Sequence, residues 1–141
     1  MVNTLYLIRG LPGSGKSTEA RRITDKNSGL FKHLEADMYF MQGGKYNFDP
    51  SKLRFAHEWC QTKTESYLER GYNVIVSNTF TTLKEIKPYE EIAKKLNVKM
   101  EVYQTNNTFK NVHNVPEEAL QRMKDRWQEY PGTIQIPPVS T

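Results

Sequence analysis

The sequence predicts an α/β fold, with a doubly wound, mostly parallel sheet of four to five strands and helices on both faces. Three observations carry that prediction. Short apolar runs alternate with longer amphipathic stretches along the 141 residues. Glycine, proline, asparagine or serine punctuates the junctions between them. The first apolar run also leads directly into a glycine-rich loop that opens a helix. Hydrophobic residues at 37% and aromatic residues at 11% suffice for one core, so residues 1–141 read as a single domain.

Taken in order, residues 3–9 (Asn-Thr-Leu-Tyr-Leu-Ile-Arg) form a buried strand, stopped by the Gly10–Gly15 cluster. A helix follows from Lys16 to about Lys26 and ends at Asn27-Ser28-Gly29. A second strand at Lys32–Ala36 delivers Asp37 at its end, and Gly43–Phe48 reads as a loop or small hairpin. Asp49 as N-cap and Pro50 at the first helical position start a helix over Ser51–Arg70. Leu53, Ala56, Cys60, Tyr67 and Leu68 share roughly one face of that helix, which Gly71 terminates. Residues 73–76 (Asn-Val-Ile-Val) are the clearest strand and run into Ser77-Asn78-Thr79. Thr82 and Glu85 form a capping-box pattern for a helix to about Leu96, irregular around Pro88. Lys99–Gln104 is a fourth strand, followed by an asparagine-rich stretch, Asn106–Asn114. Pro116-Glu117-Glu118 opens a last helix to about Glu129, and a short edge strand at Thr133–Ile136 precedes a Pro-Pro tail.

Composition excludes several classes. The single cysteine, Cys60, rules out a disulfide framework and a cysteine zinc site, and the three histidines are scattered. No window approaches the ~18 apolar residues of a membrane span, and the run Leu5–Ile8 is too short for a signal peptide. A cytoplasmic protein without a membrane association is therefore expected. The net charge of +4 is localised: residues 1–33 hold six bases against two acids, and residues 34–141 hold fourteen of each. The excess surrounds the glycine-rich loop, which suits a concentrated anion site better than a surface that tracks a long nucleic acid.

Gly10-Leu11-Pro12-Gly13-Ser14-Gly15-Lys16-Ser17 satisfies G-x-x-x-x-G-K-[ST] and lies between a strand and a helix, where a P-loop works. Its glycines let successive backbone N–H groups turn toward phosphate oxygens, and the following helix N-terminus adds partial positive charge. Gly10, Leu11, Pro12, Gly13, Ser14, Gly15, Lys16, Ser17 and Thr18 are thus expected to bind ATP or another nucleoside triphosphate. Lys16 reaches the β and γ phosphates in that arrangement, and Ser17 offers its hydroxyl to Mg²⁺. The dinucleotide fingerprint fails, because its third glycine position is Thr18.

Asp37 follows the second strand, and in a doubly wound sheet the carboxyl ends of the strands share one edge with the P-loop. A carboxylate there can take the proton of an attacking hydroxyl. It can equally cap the turn at Met38-Tyr39, and spacing leaves both readings open. His57 lies near the apolar stripe of its helix and reads as packed. Tyr39, Phe40, Tyr46 and Phe48 flank the Asp37 side, where they could stack on a base or simply pack.

These residues resemble the polynucleotide-kinase-like P-loop proteins: the 5′-hydroxyl kinase domain of bacteriophage polynucleotide kinases and short relatives described as AAA-type ATPases. The resemblance rests on Arg9–Thr18, Ala36-Asp37, Tyr46–Pro50, Ala56–Cys60, Val74–Thr79, Lys87-Pro88-Tyr89, Asn111–Pro116 and Arg122–Arg126, in order along nearly the whole chain. It implies an ATP- and Mg²⁺-dependent phosphotransferase acting on a hydroxyl, with a polynucleotide or nucleotide 5′-hydroxyl as the first acceptor. A hydroxymethylated base in DNA is the alternative acceptor, and a nucleotide-binding module with weak ATPase that acts through protein contacts is the alternative class. The resemblance makes Asp37 the general base. It also implies a small lid over about residues 106–130, with Lys110, Arg122 and Arg126 as its phosphate-clamping bases. Two positions depart from the family pattern: Ser77 stands where many relatives carry aspartate, and Lys110 where they carry arginine.

Overall fold

Leu5, Leu7 and Ile8 are inaccessible to solvent because β1 (Thr4–Arg9) is the central strand of a five-stranded, all-parallel sheet. The coordinates are a computed structural model, which describes residues 3–106 and 115–137. The other strands are β2 (Phe31–Leu34), β5 (Asn73–Asn78), β6 (Lys99–Thr105) and β7 (Ile134–Ile136), in the spatial order β2-β5-β1-β6-β7. Leu7 pairs with Val76 on one side and with Val102 on the other, so the registers align the carboxyl ends of β5, β1 and β6 on one edge. Two short strands, β3 (Met41–Gln42) and β4 (Lys45–Tyr46), form a separate antiparallel hairpin. The hairpin and the five-strand count agree with the sequence reading.

Helices cover both faces. Tyr6, Ile8 and Ile75 point to one side and pack with Ala20 and Ile23 of α1 (Lys16–Lys26). Leu5, Leu7, Val74, Val76 and Val102 point to the other, against α2 (Leu53–Glu69) and α3 (Leu83–Leu96). This alternation is the period-2 pattern of strands buried on both faces.

Element boundaries differ from the expectation in instructive places. β2 stops at Leu34, and Asp37 lies within a 3₁₀ turn over Ala36–Phe40 rather than at a strand end. The helix expected from Ser51 begins as a 3₁₀ turn, Pro50–Lys52, with the Asp49 side chain accepting from the Ser51 backbone N–H. The buried stripe of α2 is Ala56, Cys60, Thr64 and Leu68, whereas Leu53 is 41% exposed and Tyr67 only partly buried. Thr64 is tolerated in the core because its hydroxyl donates to the Cys60 carbonyl, 2.7 Å away. Helix α3 is continuous through Pro88 and carries the expected Thr82–Glu85 capping box. The last helix, α4 (Glu117–Arg126), ends three residues early because Trp127 turns to ψ 129° and the Gln128 N–H is taken by the Thr81 carbonyl. Residues 107–114, with Lys110 and most of the asparagine-rich stretch that begins the expected 106–130 lid, lie outside the described residues. Among the described residues no helix is long and apolar enough to cross a membrane.

Candidate active site

The loop between β1 and α1 holds its shape by close packing. A Cβ on Gly10 would collide with the Ser14 and Thr105 hydroxyls, which bond to each other at 2.6 Å beneath the loop. Gly15, the N-cap of α1, sits at φ 97°, a conformation that favours glycine, and its carbonyl starts the helix by accepting from the Glu19 N–H. Gly10→Ala is expected to lower stability by about 1–3 kcal/mol, since buried hydroxyls have no room to retreat. A reduced Tm together with weakened nucleotide binding is the expected measurement; an unchanged Tm would mean that the loop accommodates the methyl.

Lys16 folds over the loop it belongs to, donating from Nζ to the carbonyls of Gly10 at 3.0 Å and Leu11 at 3.1 Å. Burial pulls its ammonium down to about 8, and Glu35 and then Asp37 oppose that shift. Two carboxylates from the end of β2 therefore act electrostatically on the P-loop lysine. Ser17 and Thr18 are exposed on the first turn of α1, and Ser14 is buried under the loop.

Strand β5 lies between β1 and β2, so its end separates the P-loop from the acidic pair. The Asn78 side chain accepts from the Ala36 N–H at 2.9 Å, which ties the turn bearing Asp37 to β5. Asp37 Oδ1 accepts from the Tyr46 hydroxyl at 3.0 Å, and Oδ2 has no partner among the described residues. Burial and then this hydrogen bond push the Tyr46 phenol up to about 12.

Ser77 is buried, and its Oγ is 2.8 Å from His33 Nε2, which is 3.5 Å from a Glu35 carboxylate oxygen. Burial lowers the His33 pKa while Glu35 raises it. The negative charge absent at Ser77 thus stands nearby on Glu35, a residue the sequence reading passed over. The signal was present: His33 and Glu35 stand at the two-residue spacing of an extended chain.

Arg9, the last residue of the strand expected over residues 3–9, has a fully buried side chain. Its Nε donates to the Phe80 carbonyl at 3.0 Å, and its guanidinium lies 4.1 Å from the Trp127 ring centroid. Phe80 is held at φ 47°, its ring buried and its carbonyl turned onto Arg9. Arg126 Nε donates to the Thr81 hydroxyl at 2.9 Å, and that hydroxyl also bonds Glu85 at 2.7 Å. The C-terminal end of α4 is thereby fastened to the same sheet edge as the P-loop. Arg122 is exposed and has no polar partner among the described residues. His57 is half-buried on α2 and likewise has none.

Comparison with known proteins returns a family for nearly the whole of this chain. Residues 5–130 match the model of a family described as an AAA domain. The chain belongs to that P-loop family. The resemblance to P-loop kinases read from the residues is borne out at this level. Human NEDD4-binding protein 2 is 35% identical over 137 residues, covering 89% of this chain but 8% of that protein. Among solved structures, a chain of the Pnkp1/Rnl/Hen1 RNA repair complex superposes with TM-score 0.61 at 20% identity, over 93% of this AAA-domain chain and 41% of the other. An APS kinase of Mycobacterium tuberculosis, in complex with AMPPNP and APS, superposes with TM-score 0.58 at 14% identity, over 86% and 68% of the two chains. These structural likenesses establish the fold. The chain is far shorter than the first of these relatives.

Proposed function

We propose that this AAA-domain protein is a phosphotransferase that moves the γ-phosphoryl of ATP, or of another nucleoside triphosphate, to a hydroxyl. The polynucleotide or nucleotide 5′-hydroxyl is the first acceptor. The observation that carries this reading is that the Glu35 and Asp37 carboxylates after β2 act on the P-loop lysine across the end of β5, so that a phosphate site and a proton acceptor share one sheet edge. The AMPPNP held by a structural neighbour supports a nucleotide at such an edge.

In this mechanism residues Gly10–Thr18 wrap the phosphates and Lys16 counters the charge that gathers on the transferring group. Asp37 accepts the acceptor's proton at Oδ2 while the hydroxyl oxygen attacks in line, the bond to the leaving diphosphate breaks, and Tyr46 holds Oδ1. Arg122 serves as a mobile cation toward the phosphates, with Arg126 anchoring its helix through Thr81; Lys110 belongs to the same proposed clamp. The residues suit a hard cation such as Mg²⁺, since Ser17 presents an exposed hydroxyl and the nearby acids are carboxylates. Among the described residues no cluster of three or more His, Cys, Asp or Glu could hold a metal alone, and Ser17 is the residue that would hold Mg²⁺. Bound there, Mg²⁺ supplies neutralisation of phosphate charge.

The test incubates γ-labelled ATP and Mg²⁺ with 5′-hydroxyl DNA, 5′-hydroxyl RNA and hydroxymethylated DNA. Label in either 5′-hydroxyl polymer is the expected result, and label in hydroxymethylated DNA alone moves the acceptor to the base. No label in any acceptor overturns the phosphotransfer reading and leaves a nucleotide-binding module.

A further inference from the structure

Next to the turn that bears Asp37, the hairpin and the turn that follows it form a cleft of about 320 Å³. Tyr39, Phe40 and Phe48 supply its apolar walls, and Gln42, Asn47 and Lys52 its polar ones. That size and lining lie at the small end of what a ligand pocket requires, enough for one flat ring with a few directed polar groups. Two features set it apart from ordinary packing. Phe48 and its neighbour Tyr46 remain 48% and 49% exposed, and their rings are nearly parallel, 9° apart in plane with centroids separated by 6.4 Å. Phe40, by contrast, is buried and supports them edge-on, 5.1 Å from Phe48 and 6.4 Å from Tyr46. The hairpin thus holds two parallel aromatic faces toward solvent on a rigid ring beneath, at a cost in exposed apolar area that core packing does not explain.

We infer that this cleft is a stacking subsite for the base of the acceptor nucleotide. The inference rests on the phosphotransfer reading and names the acceptor's recognition element. Tyr46 links the two: its hydroxyl donates to Asp37 Oδ1 while its ring lies parallel to Phe48. A base stacked on Phe48 in the cleft lies next to Tyr46, which stands outside the lining, and holds the hydroxyl of its own sugar on the Asp37 side. Gln42 and Asn47 offer amide donors and acceptors to a base edge, and Lys52, which lines the same cleft, supplies a cation for the phosphate that follows the first nucleoside. Stacking on aromatic faces tolerates any base, so the subsite selects for a nucleobase without selecting its sequence.

The test uses a 5′-hydroxyl oligonucleotide with 2-aminopurine as its first residue, titrated with the protein, and a matched oligonucleotide whose first residue is abasic for the transfer assay. Quenching of 2-aminopurine by the wild-type protein is expected, with Phe48→Leu weakening the complex about tenfold or more and Phe48→Trp retaining it. In transfer, Phe48→Leu is expected to raise KM for the base-bearing acceptor by a similar factor, leaving kcat and the abasic acceptor unaffected. Absence of quenching, or equal effects on the two acceptors, overturns the subsite. Transfer without quenching leaves the kinase reading standing and removes this one, whereas quenching without transfer overturns the phosphotransfer reading and, with it, the cleft's role toward an acceptor.

Discussion

Asp37→Asn is expected to lower kcat for transfer by about 10²–10⁴-fold while nucleotide affinity changes little. The substitution is nearly isosteric, and asparagine keeps an oxygen to accept the Tyr46 hydroxyl now 3.0 Å from Oδ1. What it removes is a group that can take a proton. The turn should hold its place through the Asn78 bond to Ala36 and the burial of Phe40. Steady-state kinetics with saturating ATP, together with nucleotide titration of the same variant, separate the two quantities. Transfer within a few-fold of wild type would remove Asp37 from the role of base.

Lys16→Ala is expected to reduce transfer by about 10²–10³-fold, the loss typical of one charge-stabilising donor in a preorganised site. The lysine also carries a pH signature. Because burial holds its ammonium near 8 in the free protein, against its ordinary 10.5, nucleotide affinity should weaken as pH rises through 8, by up to tenfold per unit. The sign for stability is opposite. Between 8 and 10.5 the unfolded chain binds the proton that the folded one has released, so the free protein gains stability with pH across that window. Calorimetry in buffers of different ionisation enthalpy should find proton uptake on binding above pH 8 in wild type and none in Lys16→Ala. A flat pH dependence in the wild-type protein would show that Lys16 stays charged in the free state.

Much of this was legible before any coordinates. The P-loop was readable because its chemistry is local: glycine positions, a lysine and a hydroxyl within nine consecutive residues, set between an apolar run and a helix. The two-faced strands were equally plain in Leu5–Ile8 and Val74–Val76, where burial on both sides leaves no polar alternation to read. Asp37 was found by its place after a strand. Its turn was misplaced by the same logic, because an extended run ending in Glu-Ala-Asp does not reveal where the chain tightens into a 3₁₀ turn.

Other groups were invisible because their meaning is relational. Glu35 looked like any surface acid until β5 put Ser77 against His33 and brought the β2 end near Lys16. Arg9 looked like part of a basic segment, yet Phe80 and Trp127, distant in sequence, enclose it as a buried cation. Ser17 and Lys16, by contrast, needed no partner from elsewhere in the chain to be recognised.

By itself, then, the sequence determined the α/β class, the phosphate loop and the family, since these depend on residue type at short spacing. Tertiary structure alone decided which acid faces the lysine, which arginine is buried and which aromatics stay in water. Those depend on strand order and on the edge where strands end, and the β2-β5-β1 crossover is set by contacts among residues more than 40 positions apart. Charge acts across that sheet edge through space, with burial rather than sequence distance setting its strength.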